Sequence, residues 1–328
     1  MATNPRAMAA ARRAAPPGRA TPKTLQTRGW KGMNLTDARV AIGDDELVWA
    51  ENAVTIGGGA IQIVPAQAAS IATIAAGVTS LWGFTLTIAG VATPILITIN
   101  NDGSATQITQ AGAQTAVAGV GVISTSAVLT IWRDTPILII GPTLGYMTWD
   151  GTTLTTIDAT RFGTSLAVFE GRVWIGLTRT VTFTAPNTNN SFVAGDGAGS
   201  TTITDEAFPG TIITMLSALE QLWIIGQGAI EAIANVQSTG TSPNVVTTFS
   251  VTNIVTGLGS NAAASASGYF RALTFHSPFG VYALSGVTPQ KLSDRLDGMY
   301  PALTLGSSPA AVAVVQNLLV LCFLVTYT

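Results

Sequence analysis

From Leu81 onward the sequence repeats one pattern: an apolar segment holding an aromatic residue, a turn rich in Gly, Asp or Pro, then a second apolar segment. Trp82, Trp132, Trp174, Trp223 and Phe275 mark five copies at separations of 50, 42, 49 and 52 residues, and Leu321 follows 46 residues after the last. The words Leu129-Thr130-Ile131-Trp132, Gly171-Arg172-Val173-Trp174-Ile175-Gly176 and Gln221-Leu222-Trp223-Ile224-Ile225-Gly226 agree locally. A period of this length is that of a propeller blade, a small four-stranded sheet that buries both faces only by stacking between neighbours around an axis. The expected fold is all-β: a β-propeller-like array of about six small antiparallel sheets, with the aromatics as blade-core residues in the wedges between blades. β-Sandwich domains are the alternative, because they use the same short strands of period 2.

Composition supports strands over helices. Thr, Ala, Gly, Ile and Val dominate, and β-branched side chains lose rotamer freedom in a helix. Only Ala7 to Ala15 has helix-forming composition, enough for a turn or two. Charged residues make up 10% of the 328 and hydrophobic ones 47%, against roughly a quarter charged in ordinary soluble domains. A surface so lean in charge is expected to face another subunit. No charge occurs between Glu51 and Asp102, and 310–327 is almost wholly apolar, which raises a membrane reading. Gly57, Gly58, Gly59, Pro65, Gly77, Gly83, Gly90 and Pro94 cut the first stretch into short pieces, and Gln316 and Asn317 interrupt the second. Short apolar pieces bounded by turns read as strands, and no membrane partner is expected.

Charge is placed unevenly. Arg6, Arg12, Arg13, Arg19, Lys23, Arg28 and Lys31 are seven of the 15 basic residues, and the first acid is Asp37. The rest of the chain keeps eight basic against 17 acidic residues, a formal charge of -9 behind a whole-chain value of -2. Pro5, Pro16, Pro17 and Pro22 break any amphipathic helix in this stretch, and it has no apolar signal core. Three parts follow: a basic arm over 1–31, a segment with a Gly-rich hairpin over 32–66, and a propeller-like body over 67–328. The arm's cations suit DNA phosphates or an acidic neighbouring protein, and a disordered arm fits equally. The acidic body should repel nucleic acid from most of its surface.

Residues that carry chemistry are scarce. His276 is the single histidine and Cys322 the single cysteine, which removes His-cluster metal sites and any internal disulfide. His276 lies in the turn word Phe275-His276-Ser277-Pro278-Phe279-Gly280, and Cys322 reads as a small buried hydrophobe. Asp102-Gly103 and Asp150-Gly151 read as hairpin turns, and Glu170 and Glu220 as solvated acids at turns. Gly57-Gly58-Gly59 lacks the Lys and helix start of a phosphate loop. Long exposed loops are expected over 185–191, 195–200 and 238–244, the kind of place where partners bind. The loop from Asp196 to Asp205 matches no calcium-ligand spacing. No catalytic, cofactor-binding or metal residue is expected.

The segment Lys31-Gly32-Met33-Asn34-Leu35-Thr36-Asp37, then Ile42-Gly43-Asp44-Asp45-Glu46-Leu47, Glu51-Asn52-Ala53 and Gly57-Gly58-Gly59-Ala60-Ile61, resembles the opening of tail nozzle and head-to-tail stabilisation (tail hub) proteins of short-tailed bacteriophages. Gly32, Asn34, Asp37, Asp45, Glu46, Asn52, Gly58 and Gly59 carry the likeness over about 35 residues. Beyond them it is architectural, a Gly-rich hairpin leading into a propeller. The resemblance implies a non-enzymatic virion protein: a homo-oligomeric ring, a hexamer, below the portal and adaptor, with tail fibre proteins as neighbours. DNA would pass through its lumen without sequence recognition, and an acidic wall lets it slide. A carbohydrate- or receptor-binding propeller is the alternative, and a glycan-active hydrolase the third reading. Leu318 to Thr328 reads as a strand in mid-run, so the last blade is expected to be completed by an N-terminal strand or by further chain.

Overall fold

The computed structural model describes residues 70–74 and 77–294 in full, and 32–33, 46–47, 53–55, 61–63, 305–315 and 318–325 as backbone strands. The chain divides into two compact units, Met1–Ala66 and Gln67–Thr328. In the first, β1 (Gly32–Met33) pairs in parallel with β2 (Glu46–Leu47), and β3 (Ala53–Thr55) pairs antiparallel with β4 (Ile61–Ile63). Paired strands therefore bracket the Gly-rich segment on both sides, as a hairpin requires.

The second unit is a β-propeller of five four-stranded antiparallel blades, each a meander in chain order. Blade 1 is β5 (Val78–Ile88), β6 (Val91–Asn100), β7 (Ala105–Thr109) and β8 (Gln114–Ala118). Blade 2 is β9 (Val128–Ile131), β10 (Ile137–Gly141), β11 (Gly145–Trp149) and β12 (Leu154–Asp158). Blade 3 is β13 (Ser165–Phe169), β14 (Arg172–Leu177), β15 (Thr180–Phe183) and β16 (Gly199–Thr202). Blade 4 is β17 (Ile212–Ala218), β18 (Gln221–Gly226), β19 (Ala229–Thr239) and β20 (Val246–Thr256). Blade 5 is β21 (Ala266–Tyr269), β22 (Ala272–Ser277), β23 (Gly280–Ser285) and β24 (Thr288–Lys291). A hairpin of β25 (Leu305–Val315) and β26 (Leu318–Val325) follows.

First strands lie side by side from blade to blade: β9 against β13, β13 against β17, β17 against β21. The blades converge along that edge. β25 takes the corresponding place beside β21, and Leu321 falls on its partner β26. The repeat in the sequence thus comprises five complete blades plus a hairpin set like the opening of a sixth.

Alternation along the second strands explains why the blades stack. Ile137 and Ile139 of β10 join the core between blades 1 and 2, whereas Leu138 and Ile140 join the core between blades 2 and 3. Leu222 and Ile224 of β18 face blade 3, while Trp223 and Ile225 face blade 5. Successive side chains of a strand point to opposite faces, so a strand apolar at every position needs a neighbour on both sides. Outside the strands, the described residues hold two 3₁₀ turns, Ala194–Asp196 and Ala263–Ser265. No described helix is long and apolar enough to cross a membrane.

Candidate functional site

The site residues expected from sequence fall into three groups. The arm cations Arg6, Arg12, Arg13, Arg19, Lys23, Arg28 and Lys31 lie outside the described residues. Of the N-terminal motif, Gly32 and Glu46 are described, and they stand opposite each other across the β1–β2 pair. Asn34, Asp37, Asp45, Asn52, Gly58 and Gly59 lie outside.

The aromatics all enter the propeller body, but they are not equivalent. Trp174 and Trp223 sit at matching places in β14 and β18, each three residues past the turn that precedes its strand. Each indole N–H donates to the carbonyl five residues earlier, Phe169 O at 3.0 Å and Ala218 O at 2.9 Å. Thr274 holds that place in blade 5, and Phe275, one residue on, faces back toward blade 4. Trp82 lies on the first strand of blade 1, half-buried, and Trp132 follows the first strand of blade 2. The marks near 50-residue spacing thus combine two strand positions and both blade faces.

Several local readings change on folding. His276 is a fully buried residue of β22, with the turn beginning only after Ser277. Of the loops expected over 195–200 and from Asp196 to Asp205, Gly199–Thr202 is instead β16, paired to β15. The connection 184–198 is long but folded down, with Ala185 and Ala198 buried. Residues 240–245 form the tip joining β19 to β20. Glu170 and Glu220 do occupy hairpin turns, exposed and at positive φ of 47° and 61°. Among the described residues no three of His, Cys, Asp and Glu gather where a metal ion would sit.

Two buried charges escaped the sequence reading. Arg172 opens β14 and is 1% exposed. Its guanidinium donates to Thr184 O, to Gly197 O at 2.8 Å, to Ser238 Oγ and to Thr247 Oγ1 at 2.7 Å, and burial lowers its pKa. These bonds tie the 184–198 connection of blade 3 to the β19–β20 hairpin of blade 4, so the fork works as a structural cross-tie.

Glu231 lies mid-strand on β19, on the face that turns Ala229 and Ile233 toward blade 3. It is 2% exposed, and its Oε1 has no hydrogen-bond partner. It lines a cleft of about 310 Å³ between blades 3 and 4, with Thr201, Thr204, Asp205 and Asn253 as polar neighbours. Ile203, Ile224, Ile233 and Val251 form the apolar wall. Asp205 accepts from Asn253 Nδ2 and from the Ala207 N–H at 2.8 Å, bonds that hold its carboxyl below the usual carboxylate range. Arg179 donates through Nη2 to the Asp205 carbonyl. Burial, reinforced by the Asp205 charge and opposed by Arg179, pushes Glu231 up to about 7. Two neighbouring carboxyls with pKa values driven apart mark a site with chemical potential. Asp205 spends both oxygens on internal bonds, which leaves Glu231 as the free acceptor. The signal for it was present in the sequence: Ala229-Ile230-Glu231-Ala232-Ile233 is apolar on both faces, so its one acid has no wet side to turn to.

No protein-family profile matches the chain, and no curated protein does. Similar solved structures include PorZ, an essential bacterial surface component of the type-IX secretion system of Porphyromonas gingivalis, with a TM-score of 0.41 and 14% identity over 60% of this chain and 25% of that one. The extracellular domain of a putative hybrid two-component system from B. thetaiotaomicron gives a TM-score of 0.38 and 8% identity over 64% and 29%. BBS1N in its complex with ARL6DN gives 0.39 and 13% over 64% and 66%. The chain spans from about a quarter to about two thirds of the length of these proteins.

Proposed function

We propose that this protein is a structural subunit of a bacteriophage tail, a nozzle or head-to-tail stabilisation protein that assembles into a ring through which DNA is retained and ejected. The observation that carries this reading is the distribution of exposed apolar side chains over both ends of the propeller. In a meander the turns after the first and third strands share one end, and there Val91, Leu219, Phe270 and Val287 are 64%, 39%, 75% and 66% exposed. At the other end, in the turns and connections, Val120, Val122, Phe162 and Phe279 are 74%, 39%, 37% and 63% exposed. Single exposed apolar residues are ordinary, but here they accompany a surface with few charges, and such ends are suited to neighbours above and below.

The chemistry of the convergent edge supports a scaffold as well. β5, β9, β13, β17 and β21 contain no Asp, Glu, His, Lys or Arg. A propeller hydrolase draws its acids from several blades toward that edge, which leaves the hydrolase reading without its usual carriers. The glycan-binding alternative asks for exposed aromatics at matching loop positions, whereas the exposed Phe162, Phe270 and Phe279 lie in three different kinds of connection and Trp174 and Trp223 are buried between blades.

Negative-stain imaging and native mass spectrometry of the purified chain at micromolar concentration test the proposal. A ring with a central hole and a mass of several subunits is expected. A monomer at all concentrations that is retained on a glycan array would overturn it.

A further inference from the structure

We propose that the cleft between blades 3 and 4 binds one monovalent organic cation, an ammonium or guanidinium group on a short aliphatic stem, with Glu231 as its counter-ion. Three observations select this chemistry. Glu231 Oε1 is buried in the cleft wall without a donor, and Arg179, the cation whose field reaches it, spends Nη2 on the Asp205 carbonyl, keeps its buried Nε unpaired and closes no ion pair to Glu231. A buried acceptor left open is costly unless a donor arrives from outside.

Charge count fixes the valence. With Asp205 and Glu231 ionised and Arg179 positive, the site carries one net negative charge, which a monovalent cation neutralises and a divalent ion overshoots. Only two carboxylates face the cleft, too few oxygens of fixed charge for a calcium site. Size and wall then fix the shape. About 310 Å³ is far larger than a bare ion and matches a small organic group. Ile203, Ile224 and Ile233 offer an apolar path for an alkyl stem, and no aromatic ring lines the cleft for a sugar to stack on.

The same cation can arrive as a free alkylguanidine or as an Arg or Lys side chain presented by another protein, and the experiment separates the two. Butylguanidinium chloride and the peptide acetyl-Gly-Arg-Gly-amide are titrated calorimetrically into the full chain at pH 8.0 and pH 5.5. Calcium chloride and glucose serve as comparison probes. Saturable butylguanidinium binding is expected at pH 8.0, at least tenfold weaker at pH 5.5 as Glu231 takes up a proton, and at least tenfold weaker at both values in Glu231→Gln. Tighter binding of the peptide than of butylguanidinium identifies a partner protein as the source, and the reverse order identifies a free small cation. The proposal is overturned by wild-type affinity that ignores pH, by an unchanged affinity in Glu231→Gln, or by calcium or glucose binding that the substitution abolishes. Gln keeps the shape of the side chain, and the wild-type pH comparison stands even if the variant folds poorly.

Discussion

At the scale of single residues, Glu231 is held where burial disfavours its charge. A carboxyl with an ordinary pKa of 4.5 and a folded value of about 7 keeps, over that interval, a proton that the unfolded chain has already released. Stability therefore falls as pH rises from about 4.5 to about 7 and stays at its lower level above, a loss of about 3 kcal/mol if the whole difference is expressed. Glu231→Gln should be more stable than the parent at pH 8 by about 1–3 kcal/mol and level with it near pH 4.5, read from urea unfolding at the two values. Equal stability at pH 8 would mean that the carboxylate has found a donor in solution. His276 works in the opposite sense. Burial lowers its pKa from 6.5, so the unfolded state gains a proton first, and stability drains away as pH falls below about 6.5. Once Glu231 is replaced, the acid slope set by His276 should stand alone in the stability profile between pH 7 and pH 5, where in the parent the two slopes partly cancel. A profile of Glu231→Gln that is flat over that interval would show that His276 takes up its proton as readily in the folded state as in the unfolded one.

At the scale of elements, hairpin chemistry and one cross-tie decide how well the blades hold. The turn between β17 and β18 is Leu219-Glu220, both residues at positive φ, 54° and 61°. Its equivalent in blade 3, Glu170-Gly171, already places Gly at the second position. Left-handed conformations cost a non-Gly residue roughly 1–2 kcal/mol, and two-residue hairpins of this geometry favour Asn-Gly. Replacing Leu219 and Glu220 together by Asn and Gly should raise stability by about 1 kcal/mol, seen as a higher urea midpoint at unchanged slope. The cross-tie behaves oppositely. Arg172→Met leaves Thr184 O without its buried donor, leaves Gly197 O with the Thr247 hydroxyl alone, and frees the outer half of the β19–β20 hairpin. A loss of about 3 kcal/mol is expected, with hydrogen exchange accelerated first at 238–247, because breaking bonds to a buried cation also strands its acceptors. Exchange unchanged there would put the hairpin's stability in its own ladder. The turns were legible in the sequence because Gly and Asp announce them: Asp102-Gly103 and Asp150-Gly151 both bend hairpins, with Gly at φ 75° and 102°. Arg172 was not, because an Arg after a turn usually points to water, and its partners at Ser238 and Thr247 come from a different blade, some 70 residues on.

At the scale of the whole molecule, the sequence period was enough to announce a propeller. Every blade needs a strand that is apolar on both faces, and that demand repeats wherever the blades do. It was not enough to align the blades, since a Trp fits the wedge from either face and from the first or the second strand, as Trp82 and Trp223 illustrate. Charge separation is the property that fold alone leaves unused. The seven arm cations precede a remainder of formal charge -9, so any attraction to duplex DNA has to come through the arm against repulsion from the rest. Each phosphate neutralised adds about -0.9 to the slope of log affinity against log salt, which bounds the slope for seven cations at about -6. Filter binding of a random-sequence duplex to the full chain should therefore show weak affinity at 50 mM salt that collapses by about 200 mM. A variant lacking residues 1–31 should bind at neither concentration, and added poly-glutamate should compete with DNA for the full chain, because an arm that recognises only charge does not distinguish a phosphate run from a carboxylate run. Retention of DNA by the shortened variant would relocate the nucleic-acid contact to the body. It would also end the picture of a lumen along which DNA slides, since a wall that binds phosphates holds the strand in place.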